Sequence, residues 1–305
     1  MKKPFAGTSS GQLPSSRPGL LKDTLRYRFF DIVAVSMLTA VFGIPAVMWL
    51  IFASYSDLFG GLDNIYVLAV VYGTLIPLIM IFGLGVSGAL YFAKRLAFGE
   101  GANARIHFFE GIEKNWKPFL LVFFIVGLAY FLLRVGTGIL ANIDGISELL
   151  LGFSVGMIYA FFFLLLYASY FVETQIMLYH ASASQLLGNA AKFVFAGGIK
   201  GLGVFALVTL PLFLYEFVPS SLAQWIIILV CGLFYFGFSF FGFTLYSHSI
   251  FDQAINIKSY PEIYHKGLAG QKEKTSGDII DSPDIKNNND KENAAGESDD
   301  SLPIV

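Results

Sequence analysis

Six apolar runs dominate this chain, and most of them are long enough to cross a lipid bilayer as a helix. A helix needs about 20 apolar residues to cross about 30 Å of hydrocarbon. The chain is 55% hydrophobic and 14% charged, whereas soluble chains carry about 25% charged residues. We therefore predict an all-α polytopic membrane protein with six transmembrane helices and two amphipathic helices on the cytoplasmic face. The predicted spans are residues 32–55, 65–93, 119–141, 149–172, 201–215 and 223–247.

The segments that flank the spans have a different composition. Residues 1–19 are rich in Pro, Ser and Gly, which is typical of a flexible tail, and no removable signal is predicted there. Residues 20–30 repeat a large apolar residue at every fourth position, which predicts a short helix in the membrane interface. Residues 269–305 are polar and acidic, and predict a disordered cytoplasmic tail. The transmembrane domain is thus predicted to cover residues 20–268.

The stretch 94–118 holds five of the 20 Lys and Arg residues and lies between the second and third predicted spans. Its apolar residues fall on one helical face and several charged residues on the other, which predicts an amphipathic helix on the inner membrane surface. Basic side chains there would lie near anionic headgroups. The apolar face would contact lipid or dock a protein partner. This candidate interface, called the inner patch below, consists of Arg105, Ile106, Phe109, Ile112, Lys114, Trp116 and Lys117.

A second amphipathic segment precedes the fifth predicted span. Between residues 173 and 195, Leu186, Ala190 and Val194 fall on one side of a helix, and Lys192 falls on the other. The pattern predicts a second helix on the inner surface. Pro118 is predicted to begin the third span.

The basic residues also predict how the chain is oriented. If the chain crosses the membrane six times, every Lys and Arg except Arg134 falls on the side of the inner patch. The positive-inside rule then places both termini in the cytoplasm and the protein in the cell membrane. The turns on the other side carry acidic residues, namely Asp57, Asp63, Asp144, Glu148 and Glu216.

Four short segments resemble the YesL-like family of bacterial integral membrane proteins, which is defined by a domain of unknown function. They are residues 83–91 (GLGVSGALY), 108–118 (FFEGIEKNWKP), 184–191 (SQLLGNAA) and 259–266 (SYPEIYHK). The resemblance covers roughly residues 25 to 268. It implies a bacterial plasma membrane protein with an accessory role in carbohydrate uptake, and a partner protein in a sugar-uptake system.

Two motifs allow a catalytic interpretation. Ser87 lies in a GxSG sequence like that of a serine nucleophile, with His248 as the candidate base near a span end. Gly152 and Gly156 belong to a GxSxG sequence within an apolar run. Close packing of helices at small residues is the favoured interpretation of both motifs. No catalytic residue, metal site or cofactor is therefore predicted, and the single cysteine, Cys231, is predicted to be a core residue.

Arg134 is the one formal cation within an apolar run. A charge at this depth marks a functional site by default, which would make Arg134 a contact for a substrate or partner. The favoured alternative is structural, because Arg134 lies near the outer end of its span and can reach the interface, Asp144 or Glu148. Glu173 and Glu216 end spans and are predicted to lie at the interface.

These features favour a non-enzymatic accessory or scaffolding protein that contacts membrane lipid and a membrane or cytoplasmic protein partner. A small-solute transporter is the alternative, although Arg134 is the only predicted intramembrane charge that could serve a transport pathway. An intramembrane serine hydrolase is less favoured. The net charge of −2 provides no basic surface for nucleic acid, so no nucleic-acid partner is predicted.

Overall fold

The apolar runs and the segments between them fold into long helices. The computed structural model describes residues 14–55, 64–143, 145, 147–179, 181–218 and 220–269. The helices are α1 Arg17–Tyr27, α2 Phe29–Tyr55, α3 Ile65–Ala97, α4 Ala104–Ala141, α5 Glu148–Leu178, α6 Ala183–Phe217, α7 Ser221–Val230, α8 Phe236–Phe251 and α9 Ile257–Ser259. Two π-helical turns, Cys231–Tyr235 and Asp252–Asn256, connect α7 to α8 and α8 to α9.

Six helical segments in the described part of the chain are long and apolar enough to cross a membrane. Every regular element described there is helical, so the predicted all-α polytopic fold is confirmed. The six segments are Phe29–Ser54, Ile65–Ala97, Ala104–Ala141, Glu148–Leu178, Ala183–Leu210 and Ala223–Ser259.

Side-chain caps mark where four of the long helices begin. Asn64, Asn103, Ser147 and Ser182 each accept a hydrogen bond from a backbone N–H in the first turn. These N–H groups have no partner within the helix, so a cap at this position stabilises the end. The polar turns therefore fix the starts of α3, α4, α5 and α6.

Helices α3 and α4 approach each other closely at two glycines. A Cβ atom on Gly88 would lie 2.7 Å from the Phe108 carbonyl oxygen, and one on Gly111 would lie 3.1 Å from Gly88 Cα. Such distances leave no room for a side chain, as is common where small residues pack membrane helices together. The packing interpretation of the motif around Ser87 is thus confirmed.

The second glycine motif makes no helix contact among the described residues. A Cβ atom on Gly152 or Gly156 would meet no atom of these residues within 4 Å, so the predicted helix packing is not found within the described chain. The neighbouring Phe153 is exposed, because this part of α5 faces away from the other helices. In a membrane, that face contacts lipid.

Three hydrophobic clusters form the interior of the described part of the chain. The largest joins α1, α2, α3, α4 and α8, with Met177 of α5, around side chains such as Phe108, Phe119 and Phe241. The second joins α5, α6 and α8 around Tyr167 and Phe243. The third lies between α2 and α3 around Leu75. Helix α8 contributes side chains to the first two clusters.

Helix α1 begins earlier and packs more deeply than the sequence predicts. It starts at Arg17, with Ser16 as its cap, inside the segment predicted to be a flexible tail. Leu20 is 0% exposed and belongs to the largest cluster, so this side of α1 packs on the bundle. Buried hydrogen bonds from Arg17, described below, hold α1 in this place.

The two segments predicted as separate amphipathic helices are continuous with the spans that follow them. Helix α4 runs through Pro118 as one helix, which membrane helices tolerate when neighbouring groups satisfy the freed carbonyl. In α6, Gly198 has a φ of +51° and interrupts the helix between its amphipathic part and its apolar part. Glycine adopts this backbone without steric cost.

Some sequence-based predictions concern residues outside the described ranges. They include the flexible tail at residues 1–13 and the disordered tail at residues 270–305. The acidic turn residues Asp57, Asp63 and Asp144 also lie outside these ranges.

Candidate functional site

A chain of alternating charges links the α3–α4 turn to the start of α4 and to the segment after α9. Lys266 Nζ lies 3.2 Å from Glu100 Oε1, and Arg95 Nε lies 3.6 Å from Glu100 Oε2. Arg95 Nη1 also lies 3.9 Å from Glu110 Oε2, which leads to α4. Lys114 Nζ lies 2.6 Å from Glu110 Oε1. Partly exposed pairs of this kind are weak one by one, but a network holds the three segments in one geometry.

A buried ion pair lies at the same end of the bundle. Arg17 Nη2 lies 3.0 Å from Asp252 Oδ2, and both side chains are largely buried. Arg17 Nη1 donates to the carbonyl oxygens of Ala97 and Lys266, each at 3.1 Å. Arg17 therefore joins α1 to the ends of α3 and α8 and to the segment after α9.

Asp252 belongs to a buried polar stripe that the sequence analysis missed. Thr244, His248, Asp252 and Asn256 follow at four-residue intervals and are all buried. Asp252 Oδ1 accepts from Asn256 Nδ2 at 2.8 Å, and Tyr179 donates to Asn256 Oδ1 at 2.6 Å. The four-residue spacing is the signal that could have predicted this stripe, because such residues share one helical face.

Part of the stripe faces a small space between α3, α5 and α8. Lys94 Nζ, on the α3 side of this space, donates to the Met177 carbonyl oxygen. The His248 ring lies 5.3 Å from the Phe98 ring, measured between centroids. The residues that line the space are Leu90, Lys94, Thr174, Met177, Thr244 and His248.

The apolar members of the inner patch lie mainly on the outside of α4. Ile106 is 64% exposed, Phe109 48% and Trp116 45%. Ile112 is different, because it is partly buried and packs against the largest cluster. The face of α4 that contacts α3 instead carries Phe108 and Gly111, so the predicted patch is an outward-facing surface.

The basic members of the inner patch are not equivalent. Lys114 is exposed but pairs with Glu110, and it also donates to the Tyr91 hydroxyl at 3.2 Å. Lys117 Nζ lies 5.4 Å from the centroid of the Trp116 ring, a cation–π contact. Arg105 is exposed near the start of α4. Arg105 and Lys117 are therefore the members that present charge toward headgroups or a partner.

Arg134 is held by an aromatic side chain. Its guanidinium lies 5.1 Å from the centroid of the Tyr72 ring on α3. This cation–π contact is worth about 0.5–2 kcal/mol. The contact agrees with the structural interpretation of Arg134, although the predicted acidic partner Asp144 lies outside the described residues.

Ser87 has the hydrogen bonding of a packing residue. It is buried, and its hydroxyl donates to the Leu84 carbonyl oxygen at 2.9 Å within the same helix. A nucleophilic serine instead needs its hydroxyl bonded to a general base. His248, the candidate base, lies on the polar stripe and contacts the rings of Phe98 and Phe251.

Glu173 is buried between the helices, although the sequence predicts a position at the membrane interface. Helix α5 continues past it to Leu178, and its side chain is 1% exposed. The sequence does not predict this burial, because a charged residue just past an apolar run is normally at the interface. The other acid predicted at the interface, Glu216, has a side chain outside the described part of the structure.

Comparisons of the chain with protein-family models, curated proteins and solved structures find no match.

Proposed function

We propose that this multi-pass membrane protein is a non-enzymatic accessory protein that binds a membrane subunit of a sugar-uptake system through the inner patch. The observation that supports this proposal most is the exposure of Ile106, Phe109 and Trp116 beside a network of fixed charges. Large aromatic side chains at a rigid surface are typical anchors of protein interfaces. The link to carbohydrate uptake comes from the resemblance to the YesL-like family.

The chemistry of the inner patch suggests what kind of partner it binds. The aromatic residues Phe109 and Trp116 would contact an apolar helix of the partner at the membrane boundary. Arg105 and Lys117, which the charge network does not use, would face acidic residues in a cytoplasmic segment of that partner. Lys114 contributes less, because Glu110 already compensates its charge.

A small-solute transporter remains the second candidate. The buried polar stripe along α8 and the π-helical turn after it supports this candidate, because polar residues inside a bundle often mark transport pathways. An intramembrane hydrolase has less support, since the Ser87 hydroxyl is bonded within its own helix.

The proposal can be tested with a paired aromatic variant in the host that carries the gene. We expect Phe109→Ala with Trp116→Ala to leave membrane insertion unchanged and to lower sugar uptake to the level of a deletion strain. A photo-crosslinking residue at position 109 should then capture a permease subunit in the wild-type background. The matched control is Phe153→Ala with Phe161→Ala, which removes two exposed aromatic side chains from α5.

A second control addresses the hydrolase alternative. Ser87→Ala removes one hydroxyl that is bonded within α3, and the accessory proposal expects normal uptake from it. Loss of uptake in Ser87→Ala, with normal uptake in the Phe109 and Trp116 pair, would contradict the proposal.

A further inference from the structure

Helix α6 is interrupted at Gly198, between its amphipathic part and its apolar part. Gly198 has a φ of +51° and a ψ of −150°, both outside the helical range, and the helix restarts after it and runs to Phe217. The first N–H groups of the restarted helix have no acceptor within that part, and they carry the positive end of its dipole. A helix start of this kind inside a membrane protein is a common place for an anion to bind.

A buried hydroxyl lies at this break. Tyr167 of α5 is 0% exposed, and its Oη atom has no hydrogen-bond partner among the described residues. A Cβ atom on Gly197 would lie 2.5 Å from Tyr167 Oη, and one on Gly201 would clash with the same atom. The Tyr167 hydroxyl therefore lies against both the residue before the break and the first turn after it. Because a buried O–H without an acceptor is unfavourable, an acceptor supplied by a ligand would stabilise it.

Tyr246 of α8 provides a second hydroxyl at the same place. A Cβ atom on Gly197 would lie 3.1 Å from Tyr246 Oη, and one on Gly201 would lie 2.6 Å from it. The two tyrosines thus approach the same two glycines from neighbouring helices. Tyr246 is only partly buried and Gly198 is exposed, so the break can be reached from the outside of the bundle.

Two lysines indicate the depth of the break in the membrane. Lys192 precedes Gly198 and Lys200 follows it, and both lysines are exposed. Neither forms an ion pair among the described residues. Because a lysine at the middle of a bilayer is costly, the break lies near the headgroups. Phe195 is 84% exposed and Ile199 is 88% exposed, which suits contact with acyl chains.

We propose that the break at Gly198 binds the phosphate group of an anionic phospholipid. The hydroxyls of Tyr167 and Tyr246 and the first N–H groups after the break donate to the phosphate oxygens. Lys192 and Lys200 compensate the negative charge of the headgroup, as basic residues beside membrane helices do for anionic lipids. A tyrosine O–H and a backbone N–H are donors, so this set of groups fits an oxyanion. The site contains no residue of the inner patch, so its test is independent of the docking proposal.

Native mass spectrometry of the full chain tests the site with defined lipids. The protein in a neutral detergent is mixed with dioleoyl phosphatidylglycerol or dioleoyl phosphatidylcholine at the same concentration, and the lipid that stays bound is counted. We expect the wild type to bind one phosphatidylglycerol about tenfold more tightly than phosphatidylcholine, because the two lysines favour a net negative headgroup. An excess of sodium phosphate should not displace this lipid, since Phe195 and Ile199 also contact its acyl chains.

Two substitutions each remove one polar group from the site. Tyr167→Phe keeps the ring and should weaken phosphatidylglycerol binding about tenfold, because it removes one hydrogen bond to a charged group. Lys200→Gln should weaken binding about fivefold. The matched controls are Tyr235→Phe and Lys258→Gln. Tyr235 has another buried hydroxyl without a partner in the described chain, and Lys258 is another exposed lysine. Both controls should bind the lipid as the wild type does.

Three results would overturn the proposal. Equal retention of the two lipids by the wild type would show that the protein does not select an anionic headgroup. Displacement of phosphatidylglycerol by sodium phosphate would assign the site to a soluble anion instead. Unchanged lipid binding by folded Tyr167→Phe would place the lipid elsewhere. The first two results come from wild-type protein, so neither depends on how the Tyr167→Phe variant folds.

Discussion

The Arg17 guanidinium lies 3.0 Å from the Asp252 carboxylate, although the two residues are 235 positions apart in the chain. Removing one partner of a buried ion pair leaves the other charge uncompensated and costs about 3–5 kcal/mol. We therefore expect Arg17→Gln and Asp252→Asn each to lower the thermal unfolding temperature in detergent clearly.

Arg28→Gln is the matched control for this prediction. Arg28 pairs with Asp31 at 2.9 Å, but both side chains are more exposed than those of Arg17 and Asp252. Such a pair is worth about 0–1 kcal/mol. If Arg28→Gln lowered the unfolding temperature as much as Arg17→Gln, the buried pair would contribute no more to stability than the exposed pair, and the prediction would be contradicted.

The contact between Gly88 and Gly111 leads to a second prediction. Alanine at either position places a methyl group against backbone atoms of the other helix, and such overpacking costs about 1–3 kcal/mol. Gly152→Ala should instead be neutral or stabilising by up to about 1 kcal/mol, because its surroundings are open. The free energy of unfolding in detergent should be measured for all three variants. Equal stability of the Gly88 and Gly152 variants would show that α3 and α4 do not cross here.

The sequence predicted the number of spanning helices well, because a long apolar run has few other stable structures. It also predicted that the glycines around Ser87 pack. It did not predict the ends of the helices. The starts of α4 and α6 depend on caps at Asn103 and Ser182. Helix α4 also continues through Pro118 and α6 through Gly198, and both residue types usually mark the end of a helix.

The candidate site was less predictable than the fold. The pairing of Arg17 with Asp252 depends on how distant segments meet, and local patterns do not contain that information. Glu173 follows an apolar run directly, so its position in sequence resembles that of an interfacial residue. The polar stripe that includes His248 is present in the sequence as a four-residue repeat. It is difficult to recognise there, because most of the residues between its members are apolar.

A third prediction concerns residues 270–305. Their composition cannot form a hydrophobic core, so a chain that ends at Ala269 should match the full chain in expression and thermal stability. A chain that ends at Ser259 is the control. It lacks Lys266 and His265, which contact Glu100 and Asp252, and should be less stable. A large loss of folded protein on removal of residues 270–305 alone would contradict the prediction.

The proposed orientation is the basis of the docking proposal, because the inner patch must face the cytoplasm. Single cysteines introduced in a Cys231→Ser background can report the side of each turn with a membrane-impermeant maleimide. Positions 63, 147 and 221 should be labelled in intact cells. Positions 184 and 276 should be labelled only after permeabilisation.

Asn103 is the most direct position for this measurement, because it caps the helix that carries the inner patch. We expect Asn103→Cys to be unlabelled in intact cells and fully labelled once the membrane is permeabilised. Labelling of Asn103→Cys in intact cells would place the inner patch outside the cell and would contradict both the orientation and the proposed docking.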